Sequence, residues 1–198
     1  MSRYLFVAIL GAATAVAAQQ RPSLMDPQHD SPAEEQMKYE KTPPQREDVE
    51  VLGLMHRDNA TYVRLGKLAQ ERSTSALVRV LGADLVEDHG ELDRKIVKLS
   101  KKLGFELAVP EPKDEAERAR REAMKHRIEV LERLRGEDFD RTFARVMRDL
   151  HRQEIDRLEG RRNETRHLRV RALYDEALPK LERHLLTAEE LVRANRAT

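Results

Sequence analysis

The sequence contains no cysteine among its 198 residues. Disulfide bridges, thiolate metal sites, cysteine nucleophiles and a lipidated N-terminal cysteine are therefore excluded. Tryptophan is also absent and aromatic residues make up only 4% of the chain, whereas charged residues make up 37%. This composition, rich in Leu, Ala, Arg and Glu, favours long exposed helices over sheets.

The chain also has no strong excess of charge of either sign, since it contains 37 Lys and Arg residues and 36 Asp and Glu residues. The composition thus gives no reason to expect nucleic acid or anionic lipid as a partner. The glycine-rich phosphate loop, the G-x-S-x-G elbow and the H-E-x-x-H zinc motif do not occur in the sequence. Enzyme chemistry is left open by these absences, but no motif supports it.

The N-terminus has the pattern of an export signal. Arg3 precedes an apolar run from Tyr4 to Val16, and small residues follow at 15–18. The run is shorter than the roughly 20 residues of a membrane-spanning helix, so we expect a signal peptide over residues 1–18 that is cleaved after Ala17 or Ala18. The mature protein would then have no membrane span and would lie in the periplasm or cell envelope. An uncleaved anchor is the alternative.

Residues 19–46 show no apolar periodicity and contain five prolines: Pro22, Pro27, Pro32, Pro43 and Pro44. We interpret this segment as a disordered linker. Residues 47–194 are predicted to form the folded domain.

Apolar residues in this domain recur at helical spacing. We predict four long helices, at Glu47–Arg72, Leu77–Leu103, Asp138–Glu159 and Asn163–Ala194, and a shorter connecting helix within Lys113–Leu134. A turn is predicted at Gly160–Arg162, and Pro179 is expected to kink the last helix without ending it. The fold class is all-α, an antiparallel four-helix bundle with an additional shorter connecting helix.

A polar pair interrupts the most regular apolar stripe. The stripe consists of Leu77, Leu81, Leu85, Leu92, Ile96, Leu99 and Leu103, and Asp88 and His89 stand where it calls for another apolar residue. A polar pair on a core-facing helix costs free energy unless it finds partners. Asp88 and His89 are therefore candidate functional residues.

Four short motifs in order resemble a known family. They are Tyr62–Ala69, Val86–His89, Asp138–Asp140 with Asp149–His151, and Leu178–Leu185. Together they are similar to an exported bacterial ferritin-like family, domain of unknown function 4142, whose members are often labelled outer-membrane proteins. The resemblance covers about Glu47 to Val192 and implies a ferritin-like bundle in the envelope without a settled activity. The family usually has acidic residues where this chain has Tyr62 and Arg64, which weakens any metal site on the first helix.

A di-iron site is disfavoured by the sequence. Such a site takes a Glu from two helices and Glu-x-x-His from the other two. The match at Glu164–His167 falls near a turn, where we expect it to be solvated, and the segment Leu181–His184 lacks the glutamate.

Depth along the bundle groups another set of polar residues. At a rise of about 1.5 Å per residue along each helix, we expect one level of the bundle to contain His56, Asp88 or His89, His151 and Glu154. His184 is expected far from this level. Nitrogen and carboxylate ligands of this kind suit zinc or iron, with Asp88 also available as an acceptor behind a ligand. The alternative is a metal-free layer of hydrogen-bonded side chains that fixes helix register.

Two kinds of function remain. The first is a non-catalytic envelope bundle that binds a protein, a surface polymer or another copy of itself, with a structural or stress-related role. The second is a variant metal-binding bundle, holding zinc or iron, with a storage, scavenging or redox role.

Overall fold

The computed structural model describes residues 44–194, and these residues form helices with no strand among them. The five helices are α1 (Arg46–Arg72), α2 (Ala76–Leu103), α3 (Glu115–Leu131), α4 (Gly136–Glu164) and α5 (Leu168–Ala194). The predicted all-α class, with one shorter connecting helix, is confirmed. The predicted signal peptide and all but the last residues of the predicted linker lie outside the described range.

Local sequence signals set several of the helix ends. The Ser75 hydroxyl accepts a hydrogen bond from the Val78 amide at the start of α2, at 3.4 Å, and the Asp114 carboxylate accepts one from Glu117 at the start of α3, at 2.7 Å. Both are side-chain caps that satisfy otherwise free amides. Gly104 ends α2 with a φ of 72°, a conformation that glycine adopts without strain.

Contacts at the two ends of the bundle fix the helix directions. Thr74 and Ser75, between α1 and α2, both donate hydrogen bonds to Asp140 near the start of α4. We call this the turn end. At the other end, which we call the open end, Asp48 near the start of α1 accepts a hydrogen bond from Thr165 just after α4. Consequently α2 and α4 run parallel, and α3 connects them by returning along the bundle.

Helices α1 and α2 approach each other closely at two glycines. A Cβ atom on Gly66 would lie 2.5 Å from the Gly82 carbonyl oxygen, and one on Gly82 would lie 2.7 Å from the Gly66 oxygen. Real Cβ contacts are not this short, so the crossing requires glycine on both helices. This crossing lies between the turn end and the polar residues described below.

The apolar core consists of two clusters. One, nearer the turn end, contains Leu65, Leu81, Leu85, Phe139 and Phe143 among others, and the second, nearer the open end, contains Leu52, Met55, Leu92, Ile96 and Leu158 among others. Along α2 the two clusters are separated between Leu85 and Leu92, where His89 is fully buried. A layer of polar side chains therefore lies inside the bundle between two apolar regions.

One residue of the predicted α2 stripe is not in the core. Leu77 is 65% exposed, and Val78 is buried in its place. At 100° per residue, Leu77 lies roughly 60° from the middle of the arc formed by Leu81, Leu85 and Leu92. The three- and four-residue spacing was correct, but this first position lies outside the buried arc.

The predicted turn at Gly160–Arg162 was wrong. Helix α4 continues through Gly160 to Glu164, and the chain reverses at Thr165–His167 instead. A single glycine in a helix costs only about 1 kcal/mol relative to alanine, and buried Ile155 and Leu158 hold the preceding turn against the core. Pro179 lies inside α5, as predicted. Within residues 44–194, none of the helices is both long and apolar enough to cross a membrane.

Candidate metal centre

The polar layer begins on α1 and α2. Asn59 and His89 lie about 15 residues on either side of Thr74, which places both roughly 22 Å from the turn end. The two side chains are buried, and His89 Nδ1 lies 2.8 Å from Asn59 Oδ1. Tyr62 lies one helical turn closer than Asn59 to the turn end of the bundle. Its ring stacks on the His89 ring with a centroid distance of 4.0 Å.

Helices α4 and α5 supply two more histidines at this level. His151 and His184 lie about 15 and 18 residues from Arg166, in the middle of the observed chain reversal. Both are buried. His151 Nδ1 lies 2.8 Å from the Met147 carbonyl oxygen, and His184 Nε2 lies 3.0 Å from Asp88 Oδ2.

The three histidines converge on one point. One ring nitrogen from each of His89, His151 and His184 lies within 4.8 Å of the others. In each ring one nitrogen has a hydrogen-bond acceptor, whereas the other is buried without a partner: Nε2 of His89, Nε2 of His151 and Nδ1 of His184. Since buried polar atoms are normally hydrogen-bonded, three unpartnered nitrogens in neighbouring rings require an explanation.

Burial also sets the protonation state of these side chains. Desolvation lowers the pKa of His89 and His184, and it lowers the pKa of His151 to about 3. The imidazoles are therefore neutral at pH 7, each with one N–H and one lone pair. The acceptors Asn59, Met147 and Asp88 take the N–H in each case, which leaves the lone pair on the other nitrogen of each ring. A metal-binding histidine usually has this arrangement, with its second nitrogen held by a carboxylate, carbonyl or amide oxygen.

Glu154 and Tyr62 form a second buried pair beside the histidines. Glu154 is 1% exposed and lies one turn beyond His151 on α4. Its carboxyl group is hydrogen-bonded to the Tyr62 hydroxyl, and Oε2 is buried without a partner. Burial, followed by the nearby Asp58 charge, raises the pKa of Glu154 above its usual range.

Asp88 lies at the edge of the layer, where its carboxylate forms ion pairs with two basic side chains in addition to its contact with His184. Its carboxylate is 3.1 Å from Lys180 Nζ and 2.6 Å from Arg183 Nη2. Although burial opposes the charged form, these contacts keep the pKa of Asp88 below its ordinary value. Asp88 is thus a charged acceptor behind His184 and does not face the centre.

The structure therefore brings together some of the predicted ligands and separates others. His89, His151 and Glu154 lie in one layer, and Asp88 lies behind it. His56 does not reach the layer: its side chain is 40% exposed and its Nδ1 lies 2.6 Å from Asp93 Oδ1. Depth alone placed His56 near the others, but Asn59, three residues later, occupies the inward position at this level.

His184 is the ligand candidate that the depth estimate missed. It was expected far from the layer because the last turn was placed at Gly160–Arg162. Moving the turn to Thr165–His167 lengthens α4 and shortens the distance along α5, so His151 and His184 come to the same level. The resemblance motif Leu178–Leu185 contained His184 and was the signal that could have found it.

The other sequence match, Glu164–His167, also differs from expectation. His167 is not solvated but 5% exposed, and its Nδ1 accepts a hydrogen bond from the Val170 amide at the start of α5. Glu164 is exposed. The two residues serve the turn and do not approach the histidine layer.

The ligand types distinguish this layer from a di-iron centre. In that kind of site a glutamate stands three residues before the histidine on two helices. Here the corresponding positions before His89 and His184 are Val86 and Leu181, so both carboxylates are missing. A nitrogen-rich set for a single ion fits these residues, whereas a carboxylate-bridged pair of irons does not.

A cavity of about 690 Å³ lies between α1, α3 and α4 and reaches the same region from outside. Tyr62, Asp58 and Arg157 are among the residues that line it. Because the Tyr62 ring also contacts His89 and His151, this side chain separates the cavity from the histidine cluster.

Comparisons with known proteins place the chain in a family without assigning it an activity. The sequence profile of the family described as Domain of unknown function (DUF4142) matches residues 33–191. No curated protein matches the chain. A solved structure, described as the crystal structure of a DUF305 fragment from Deinococcus radiodurans, is similar, with a TM-score of 0.67 at 21% identity. The match covers 77% of this chain and 99% of the fragment, and at this identity it supports the fold alone.

Proposed function

This chain belongs to the family described as Domain of unknown function (DUF4142), and from that premise we propose that it binds one transition-metal ion through His89, His151 and His184. The observation that carries the proposal is that one ring nitrogen of each histidine lies within 4.8 Å of the others, while each of the three rings has a buried nitrogen without a partner. Most buried polar atoms in a structural layer have hydrogen-bond partners. This layer leaves unsatisfied the atoms that a metal would use.

The donor set indicates the kind of ion. Neutral imidazoles suit zinc, copper, iron and nickel, and three histidines are an established protein ligand set for Zn²⁺. Zn–N bonds are about 2.0–2.1 Å long, so the three nitrogens would need to move closer together by a modest rearrangement of rings that are already oriented. Binding, with scavenging or storage as its use, is the role these residues support, and no nucleophile is needed for it.

The test is metal binding by the purified protein and by matched histidine variants. Chelator-treated protein is loaded with Zn²⁺, passed over a desalting column and analysed for metal content and thermal midpoint. We expect about one equivalent in the wild type with a raised midpoint, and loss of both effects in His89→Ala and His184→Ala. His126→Ala, which removes an exposed histidine from α3, is the control.

His56→Ala tests the alternative ligand set. Because His56 lies outside the layer and contacts Asp93, we expect this variant to bind zinc like the wild type. Loss of zinc in His56→Ala and retention in His184→Ala would support the ligand set suggested by depth alone. Absence of zinc, copper, iron and nickel binding in the wild type would leave the bundle with a structural or protein-binding role.

We also propose that the protein is exported to the periplasm or cell envelope after cleavage at Ala17 or Ala18. Support comes from the short apolar run and small residues at the N-terminus. Intact-mass measurement of the protein from fractionated cells tests this. A full-length mass, or recovery from the cytoplasm, would contradict it.

A further inference from the structure

Glu154 has an unused oxygen atom beside the histidine cluster. It lies three residues after His151 on α4, and residues at this spacing share one helix face. Its side chain is 1% exposed, and Oε2 has no hydrogen-bond partner. The Tyr62 hydroxyl holds the carboxyl group, and the Tyr62 ring lies against both His89 and His151. A buried carboxylate oxygen without a partner thus lies one helical turn from His151, outside the group of atoms that lie within 4.8 Å of one another, and the Glu154 side chain would turn toward a bound ion.

The Glu154 carboxylate can compensate the charge of a bound ion. A doubly charged ion among three neutral imidazoles is a buried charge, and buried charges require compensation. Asp88 is already matched by Lys180 and Arg183. Another nearby acid, Asp58, is paired with Arg57 at 2.6 Å and with Arg157 at 3.2 Å. Glu154 is hydrogen-bonded to a neutral phenol and can compensate the ion.

We propose that Glu154 is the fourth protein ligand, completing a set of three histidine nitrogens and one carboxylate oxygen, and that it makes the site selective for divalent over monovalent cations. Tyr62 acts as a positioning residue that holds the other carboxylate oxygen. This inference rests on the proposed function. Four protein ligands with nitrogen and oxygen donors give a closed site, which is suited to retaining an ion and leaves no open position for a substrate.

The experiment compares the affinities of two ions that differ in charge. Dissociation constants for Zn²⁺ and Cu⁺ are measured by competition with chromophoric chelators for the wild type and Glu154→Gln, with Cu⁺ kept reduced under anaerobic conditions. We expect the substitution to weaken Zn²⁺ binding by about 10–100-fold, a loss of the size seen when supporting groups of a metal site are removed. The Cu⁺ affinity should change little, because the singly charged ion needs less compensation. Glu159→Gln, an exposed acid on the same helix, is the control.

A second measurement does not depend on how the variant folds. Infrared difference spectra of the wild type, zinc-loaded minus zinc-free, should show a new band from a metal-bound carboxylate. Its absence, an unchanged zinc affinity in Glu154→Gln, or equal losses for both ions would overturn this inference. Zinc binding that is lost in His89→Ala but retained in Glu154→Gln would overturn it while preserving the proposed function. Wild type that binds neither ion would overturn both.

Discussion

Two of the buried polar clusters within residues 44–194, one at the open end and the other the histidine layer, differ in whether their polar atoms have partners. At the open end, Asp48 is fully buried, and its carboxylate accepts hydrogen bonds from Thr165 Oγ1 at 2.6 Å and Arg161 Nη2 at 2.8 Å. The Tyr174 hydroxyl lies 3.5 Å from the same carboxylate. These contacts join α1, α4 and α5. In the histidine layer, by contrast, each ring has one satisfied nitrogen and one without a partner.

The difference separates a structural cluster from a candidate binding site. Asp48 joins helix ends that would otherwise separate, and its two oxygens are used for this. The histidines also contact neighbouring helices, through Asn59 and Asp88, but those contacts use the outer nitrogen and leave the inner one free. Burial alone therefore does not identify a functional residue here. Unpartnered nitrogens in three neighbouring rings do so.

The largest expected effect comes from breaking the satisfied cluster. Asp48→Ala leaves the Arg161 guanidinium, whose side chain is only 15% exposed, without its buried partner. We expect a loss of about 3–5 kcal/mol in the free energy of unfolding, with or without zinc. Urea unfolding followed by circular dichroism measures it. Asp156→Ala, an exposed acid on α4, should change stability by less than about 0.5 kcal/mol, and equal effects in the two variants would contradict the structural role.

The apolar regions around the histidine layer should be nearly as sensitive. Leu85→Ala removes a fully buried side chain one turn from His89, and we expect it to cost about 2–5 kcal/mol. Leu77→Ala, on the same helix but 65% exposed, is the matched control and should cost far less. Denaturant midpoints that shift equally would show that the assigned face of α2 is wrong.

How far the sequence predicts this molecule depends on the signal concerned. Apolar spacing predicted the helices and the bundle, because this signal is local. His89 was found because a polar pair interrupted an apolar stripe, and His151 and Glu154 were found because they lie at the same depth along the bundle. His184 was misplaced because a single glycine was interpreted as a turn, and a shift of a few residues at one turn moves every later residue on α5 by several ångströms. His56 was included because depth along a helix does not specify the direction of the side chain.

Acid should destabilise the metal-free protein through the histidine layer. Burial lowers the pKa of His151 to about 3 from an ordinary value of 6.5. Between these values the unfolded chain binds a proton that the folded chain does not. The free energy of unfolding should therefore fall as the pH falls below about 6.5, by at most about 1.4 kcal/mol per pH unit for each such histidine. Glu154 acts in the opposite direction, since its raised pKa favours the folded state at low pH and this contribution is lost as the pH rises above about 4.5.

This pH dependence is measured by urea unfolding of chelator-treated protein between pH 4 and 7. General acid denaturation affects wild type and variant alike, so the informative quantity is the difference in slope between wild type and His151→Leu. We expect a shallower slope in the variant, whereas His126→Ala should follow the wild type. A wild-type slope in His151→Leu would mean that His151 is not held neutral by burial.

The smallest expected change in stability is the one that most sharply separates the two clusters. His151→Leu replaces a partly satisfied buried imidazole with an apolar side chain of similar size. The hydrogen bond that it loses goes to the Met147 carbonyl within the same helix, and the unpartnered Nε2, whose burial is unfavourable, disappears. Replacing buried polar groups by apolar ones of similar shape is often neutral or stabilising. At pH 7 without metal we therefore expect the free energy of unfolding to stay within about 1 kcal/mol of the wild type or to rise. The same variant should lose the thermal stabilisation by zinc. A loss of stability as large as that of Asp48→Ala, with zinc still bound, would show that the histidine layer is a structural cluster like the one at the open end.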